Sequence, residues 1–214
     1  MSTEQGDSQG GRAHWEHVHE SKSPQEVSWI QEHPKLSLAL IERAGIGLDA
    51  AILDVGGGVS HLVDHLLERG HSSISVLDIS AAALEHTRTR LGDRAQQVSF
   101  LVGDALEVEL PQDLQLWHDR AVFHFLTEPQ ARARYAKRLV RCLAPGGYAL
   151  MATFAEDGPE RCSGLPTMRY SAEALHAELG VDAFERVAEE REVHHTPWGG
   201  EQRFQYLLLR RSPS

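Results

Sequence analysis

The chain has 214 residues, 41% of them hydrophobic and 24% charged, with a formal net charge of −10. This suits one soluble domain large enough to bury a core, and the acidic surplus excludes a general polyanion binder, so no nucleic-acid partner is expected. Cys142 and Cys162 make no disulfide framework, no apolar run approaches the roughly 20 residues that span a bilayer, and the N-terminus lacks a signal-peptide pattern; a cytoplasmic protein without a membrane partner is expected.

Residues 1–13, rich in Ser, Gln and Gly, read as a disordered tail, and residues 14–211 as one domain. His14, His17 and His19 would suit a metal only with further ligands at matching spacing, and none stands nearby, so no metal is expected. A helix packing Trp15 and Val18 across the domain accounts for the segment. Pro24–Ile30 leads to an amphipathic helix over Pro34–Ala44 with Leu36, Leu38, Leu40 and Ile41 inward and Gly45 as its stop.

Ala50–Ser60 reads Ala-Ala-Ile-Leu-Asp-Val-Gly-Gly-Gly-Val-Ser: a buried strand, a tight turn and a helix start. A dinucleotide-binding turn would place a third glycine where His61 stands, so that fingerprint fails. A helix follows with Leu62, Val63, Leu66 and Leu67 up to Gly70, and Ser73–Asp78 is a second strand ending in an acid. A carboxylate about 20 residues past such a turn is where nucleotide-binding folds grip ribose hydroxyls. Helix capping is assigned to Ser80 instead. Ala81–Leu91 is a helix, Val98–Val102 a third strand, and Gly103-Asp104-Ala105 follows it. Asp54, Asp78 and Asp104 thus end or follow three successive strands.

The fourth strand, Leu114–His118, runs into Asp119, Arg120 and His124. In an open parallel sheet these residues fall beyond the strand ends, where ligands bind. They are the candidate catalytic residues. Arg120 reaches for a carboxylate or pairs with Asp119; His124 takes a proton from a nucleophile or is a satisfied structural histidine. Thr127 is expected to cap, and Pro129 to open, a helix running to about Leu143; Ala144-Pro145-Gly146-Gly147 then turns into the strand Tyr148–Phe154. Ala155–Tyr170 is a long aperiodic loop read as a pocket wall, with Cys162, Arg169 and Tyr170 as candidate substrate contacts. Ser171 caps a helix to Leu179, and Glu185–Thr196 and Arg203–Arg211 are the last two strands. Trp198 at their joint is counted with the pocket, although packing explains it, His194 and His195 better than chemistry does.

An acid before a glycine turn, the later Asp78 and Gly103-Asp104-Ala105, and Leu-x-Pro-Gly-Gly before a buried strand resemble the motifs of small class I S-adenosylmethionine-dependent methyltransferases. The resemblance spans residues 14–211 and is strongest over 51–154. It implies a Rossmann-like α/β domain: a mostly parallel seven-stranded sheet with a C-terminal antiparallel hairpin. It further implies an S-adenosylmethionine cofactor, released as S-adenosylhomocysteine. Asp54, Gly56, Gly57 and Gly58 would hold its amino-acid end, Asp78 and Ile79 its ribose, and Gly103, Asp104 and Ala105 its adenine, with His118 alongside. Val27–Ile30 resembles the segment whose aromatic residue, here Trp29, closes over the cofactor, a core aromatic being the alternative. No Asn-Pro-Pro-Tyr type motif follows the fourth strand, which disfavours nucleobase or amide nitrogen. The expected acceptor is a small-molecule nucleophile: a thiol, selenol, metalloid or amine. Protein lysine, a non-catalytic cofactor binder and, more distantly, a dehydrogenase are the alternatives.

Overall fold

The computed structural model describes residues 11–21, 23 and 26–213. Of the tail expected over residues 1–13, residues 1–10 lie outside the described residues, as do Pro24 and Gln25 of the Pro24–Ile30 segment. Arg12 and Ala13 correct the tail's boundary, since they already form the first turn of helix α1 (Arg12–Ser21).

In chain order there follow α2 (Lys35–Ala44), β1 (Ile52–Val55), α3 (Leu62–Glu68), β2 (Ile74–Asp78), α4 (Ala81–Leu91), β3 (Val98–Val102) and β4 (Leu114–Arg120). Then come a 3-10 turn at Phe123–Phe125, α5 (Pro129–Cys142), β5 (Leu143–Phe154) and a short hairpin of β6 (Arg161–Cys162) and β7 (Leu165–Pro166). Helix α6 (Ala172–Leu179), β8 (Phe184–His195) and β9 (Glu201–Arg211) complete the order. Seven strands form one sheet in the order β3-β2-β1-β4-β5-β9-β8, with β1 to β5 parallel and β9 antiparallel between β5 and β8. This is the expected mixed seven-stranded sheet.

Period-2 alternation sorts the parallel strands onto two cores, which is why they read as nearly continuous apolar runs. Ile52, Val76, Leu116 and Leu150 point to one side, against Leu38, Ile41, Leu62 and Leu84 of α2, α3 and α4. Leu53, Leu77, Trp117 and Met151 point to the other, against Tyr135, Leu139 and Leu175 of α5 and α6.

Three expected boundaries are corrected. Thr127 does not cap α5; Glu128 holds the N-cap position without a side-chain bond. Pro129 enters with its φ already set, and the Arg132 guanidinium binds the carbonyls of Leu126 and Thr127 instead. Strand β5 starts at Leu143 rather than Tyr148, because Leu143 already pairs with Leu114 and an irregularity in the ladder absorbs the Pro-Gly-Gly. Space is the reason for Gly147: a Cβ there would stand 2.8 Å from the Leu114 carbonyl. The loop over 155–170 folds back on itself as the β6–β7 hairpin.

Candidate active site

The parallel strands end along one rim, above which lies a cleft of about 960 Å³, open solvent included. Its floor is built by chain segments leaving β1, β2, β3 and β4. At the β1 end, Gly56 has φ +67, and a Cβ on it would meet Val122 Cγ2 at 2.1 Å. Only glycine both adopts the left-handed turn and lets the end of β4 come this close. The next two glycines make room for carboxylates: a Cβ on Gly57 would lie 2.6 Å from Asp54 Oδ2, and one on Gly58 2.5 Å from Asp78 Oδ2.

Asp78 is 9% exposed at the cleft floor, where its Oδ1 accepts the Ser80 N–H at 2.8 Å. Burial pushes its pKa up to about 7, against the lowering effect of the Ser80 and Gly58 N–H groups. Ser80 does cap α4, accepting from the Ala83 N–H. Asp104 also lines the cleft and folds its own turn by accepting the Leu106 N–H at 2.8 Å. Ile79, Gly103, Ala105 and Trp29 complete the expected cofactor residues that the cleft brings together.

Asp54 and His118 sit one layer deeper. His118 Nδ1 is 2.7 Å from Asp54 Oδ1, and both residues border a smaller adjoining cavity with Gly57 and Arg120. His118 is absent from the larger cleft's lining and, at 3% exposure, stands behind Asp54 at the smaller cavity. Two polar atoms near this cavity have no hydrogen-bond partner, Asp54 Oδ2 and Arg120 Nη2, the latter 3.6 Å from Glu192 Oε2. The rest of the Arg120 guanidinium is fixed by donation to Tyr206 Oη (2.8 Å) and the Trp29 carbonyl (3.0 Å), over the Phe204 ring. Its ion-pair partner is therefore Glu192, not Asp119.

The other two candidate catalytic residues lie outside the cleft lining. Asp119 is fully buried and accepts the N–H groups of Val122 and Phe123 and the Tyr135 hydroxyl, tying off the 3-10 turn. Burial raises its pKa to about 6, with the Tyr135 hydrogen bond opposing the rise. His124 is also fully buried; its Nδ1 accepts the Phe154 N–H at 3.2 Å. Burial, reinforced by the Arg120 charge, lowers its pKa to about 3, so it is neutral at physiological pH. Replacing His124 by alanine is expected to lower stability by about 1–3 kcal/mol, because a buried N–H loses its acceptor. A denaturant titration would measure it, and intact stability with lost turnover would return His124 to the chemistry.

Of the four expected substrate contacts, Cys162 lines the cleft, and burial raises its thiol pKa. Arg169 faces out to Glu160 at 3.1 Å, Tyr170 packs on Phe123, and Trp198 is 64% exposed at the β8–β9 turn. The folded-back hairpin explains the first two: the Tyr170 N–H donates to the Phe154 carbonyl and pins the end of the loop to β5, away from the cleft.

Trp29 was expected over the cleft; what the residue pattern did not disclose is that Trp15 and Phe125 join it there. Trp15 of α1 stands edge-to-face with Trp29 (5.8 Å between centroids) and Phe125 (5.1 Å), and all three line the cleft. Helix α1 is held there by Glu16, whose carboxylate accepts from Ser80 Oγ and the Ala81 and Ala82 N–H groups at the start of α4. His19 also lines the cleft, and burial lowers its pKa to about 4. An aromatic next to an acid on a helix was the available signal, but its target lies 64 residues away at Ser80.

Among the described residues no group of three or more His, Cys, Asp or Glu side chains could hold a metal, and no helix is long and apolar enough to cross a membrane. Strand order and cleft position together define a class I methyltransferase fold. Residues 52–147 match the methyltransferase domain family. Similar solved structures include one from work on the conversion of a disulfide bond into a thioacetal group during echinomycin biosynthesis (21% identity over 92% of this chain and 91% of that one, TM-score 0.74). Another is Burkholderia thailandensis 1,6-didemethyltoxoflavin-N1-methyltransferase with bound 1,6-didemethyltoxoflavin and S-adenosylhomocysteine (20%, 94% and 87%, TM-score 0.71). A third is a methyltransferase dependent on S-adenosylmethionine from Methanosarcina mazei (17%, 82% and 98%, TM-score 0.68). No curated protein matches the sequence. At these identities the structural likeness shows the fold, and the family match covers 52–147, somewhat under half of the chain. Over residues 52–147 the chain is thus similar to the methyltransferase domain family, within a class I methyltransferase fold.

Proposed function

We propose that the cleft binds S-adenosylmethionine across the ends of β1, β2 and β3 and delivers its methyl group to a small-molecule nucleophile. The observation that carries this reading is the row of Asp54, Asp78 and Asp104 at three adjacent strand ends, two of them with a glycine where a Cβ would block the carboxylate. The donors and acceptors suit the cofactor part by part. Asp78 offers a buried carboxylate for the ribose diol. Asp104 faces the adenine end, beside the apolar Ala105 and Leu106. In the adjoining cavity, Asp54 Oδ2 is an acceptor without a hydrogen bond, suited to the ammonium of an amino acid, and the Arg120 guanidinium, ion-paired to Glu192, adds positive charge for its carboxylate.

The cofactor supplies an activated methyl on a sulfonium, transferred by in-line displacement to the acceptor. The chain aligns the partners and excludes water. Trp15, Trp29 and Phe125 roof the cleft, and Arg120 is held rigid at the passage between the two cavities. With Asp78 and Asp104 engaged by the cofactor, His19, with its pKa near 4, is a poor base at neutral pH, and Cys162 keeps its proton. A thiol, selenol, metalloid or amine that enters already deprotonated fits this cleft. The roof favours such an acceptor over a protein lysine.

Calorimetric titration with S-adenosylmethionine, S-adenosylhomocysteine and NAD is expected to show binding of both sulfur cofactors and none of NAD. A panel of thiols, selenium species and amines then tests turnover; binding without turnover on any class would leave the non-catalytic reading. Absence of binding would dismiss the assignment of the three acids.

A further inference from the structure

Beneath the glycine turn, three polar side chains from three elements form a buried chain. Ser37 of α2 is 0% exposed, Asp54 of β1 2% and His118 of β4 3%. Ser37 Oγ lies 3.0 Å from His118 Nε2, and His118 Nδ1 2.7 Å from Asp54 Oδ1. Asp54 and His118 are register partners across the parallel β1–β4 ladder, so their side chains leave the sheet on one face. Helix α2 covers that face with Leu38 and Ile41, which brings Ser37 onto the ring. Polar groups sunk among such residues are costly to bury unless they satisfy one another, and here one atom of the chain is left over. Asp54 Oδ2 makes no hydrogen bond and borders the smaller cavity together with Ser37, His118 and Arg120.

The proton inventory is restrictive. A carboxylate only accepts, so His118 Nδ1 carries a proton and donates it to Oδ1. In the neutral ring Nε2 then accepts the Ser37 hydroxyl proton. Oδ1 is thereby pinned, the carboxylate's rotation is fixed, and Oδ2 is presented to the cavity. The 2.7 Å separation has the length of a charge-assisted hydrogen bond.

We propose that Ser37 and His118 are positioning residues for the amino-acid end of the cofactor: through the Ser37–His118–Asp54 chain they hold the free oxygen of Asp54 where the α-ammonium donates to it. This rests on the reading of the smaller cavity given above. The two residues touch neither the transferred methyl nor the acceptor, so their effect falls on affinity for one part of the ligand.

The test compares S-adenosylhomocysteine with 5′-methylthioadenosine, a thionucleoside without an amino-acid end, by calorimetry on the full chain. Wild type should bind the first more tightly. His118→Leu should lose about 10- to 100-fold in affinity for S-adenosylhomocysteine, the worth of one hydrogen bond to a charged group, with 5′-methylthioadenosine affinity unchanged. His118→Asn places an amide N–H near the former Nδ1 and should recover most of the loss. Ser37→Ala, which leaves the carboxylate's own partner in place, should lose about 3- to 10-fold for S-adenosylhomocysteine alone. Should His118→Leu not fold, Ser37→Ala and His118→Asn carry the comparison. Equal losses for both ligands would make the chain merely structural, and unchanged affinity in Ser37→Ala and the foldable His118 variant would equally overturn the proposal. Wild type binding both ligands alike would refute the reading of the smaller cavity, and binding neither would refute the proposed function itself.

Discussion

Asp78→Asn is expected to make the protein more stable while stripping it of its cofactor. Burial at the end of β2 lifts the carboxyl from 3.8 to about 7, which at about 1.4 kcal/mol per pH unit amounts to roughly 4–5 kcal/mol held against the ionised fold. The sign follows from proton binding. Between the unfolded and folded values the native state holds a proton that the unfolded chain has released, so stability falls as pH rises through about 4 to 7. Asparagine, uncharged throughout, removes that penalty. Its gain in denaturant titrations should be largest at pH 8 and small at pH 4. The ribose diol loses an anionic acceptor for two hydrogen bonds, so S-adenosylhomocysteine affinity should fall by about 10²- to 10³-fold. Wild-type affinity should also weaken as pH drops below 7 and the acceptor becomes protonated. Undiminished affinity in Asp78→Asn would remove this strand end from the cofactor site.

Asp119→Ala is expected to be the most damaging single change to the fold, on the order of 3–5 kcal/mol or complete failure to fold. The change orphans the Val122 and Phe123 N–H groups and the Tyr135 hydroxyl, which itself accepts from Trp117 Nε1 at 2.9 Å. The hydrophobic cluster on that side of the sheet is built around Trp117, Phe123 and Tyr135, so the polar loss spreads into packing. Asp119→Asn, keeping one acceptor oxygen, should lose about 1–2 kcal/mol. Unfolding free energy set beside turnover per folded molecule decides the matter: intact stability with abolished turnover would make Asp119 catalytic after all.

The sequence was most informative where the governing physics is local. A run of apolar residues into Asp54 and three glycines specifies strand, turn and close approach within a dozen positions, and Asp78 and Asp104 repeat the strand-end pattern. Residues downstream of β4 were harder to read, because topology places them near the rim while packing decides which way each side chain points. Arg120 turns toward the cleft; Asp119 and His124 turn into the cores behind it. His118 was assigned to the right strand, but its role depends on Ser37, 81 residues away on a different helix. Trp29 was legible as a cover for the cleft, but its meeting with Trp15 and Phe125 was not, for the same reason. Nothing around Trp15 or Phe125 in the chain indicates that they meet.

Strand β9 is sandwiched between β5 and β8, although it follows every other element in the chain. During synthesis, β1 to β5 can therefore assemble while one flank of β5 still has unpaired backbone groups, an exposed edge prone to joining other chains. The same strand carries Tyr206, which clamps Arg120 and bonds Glu192 of β8. A nascent or truncated chain ending before residue 201 would thus present the glycine turn and all three acids, yet lack the grip on its cleft arginine. Such a fragment would carry the motifs and still be sticky and without a fixed Arg120, so β9 couples closure of the sheet edge to assembly of the cleft.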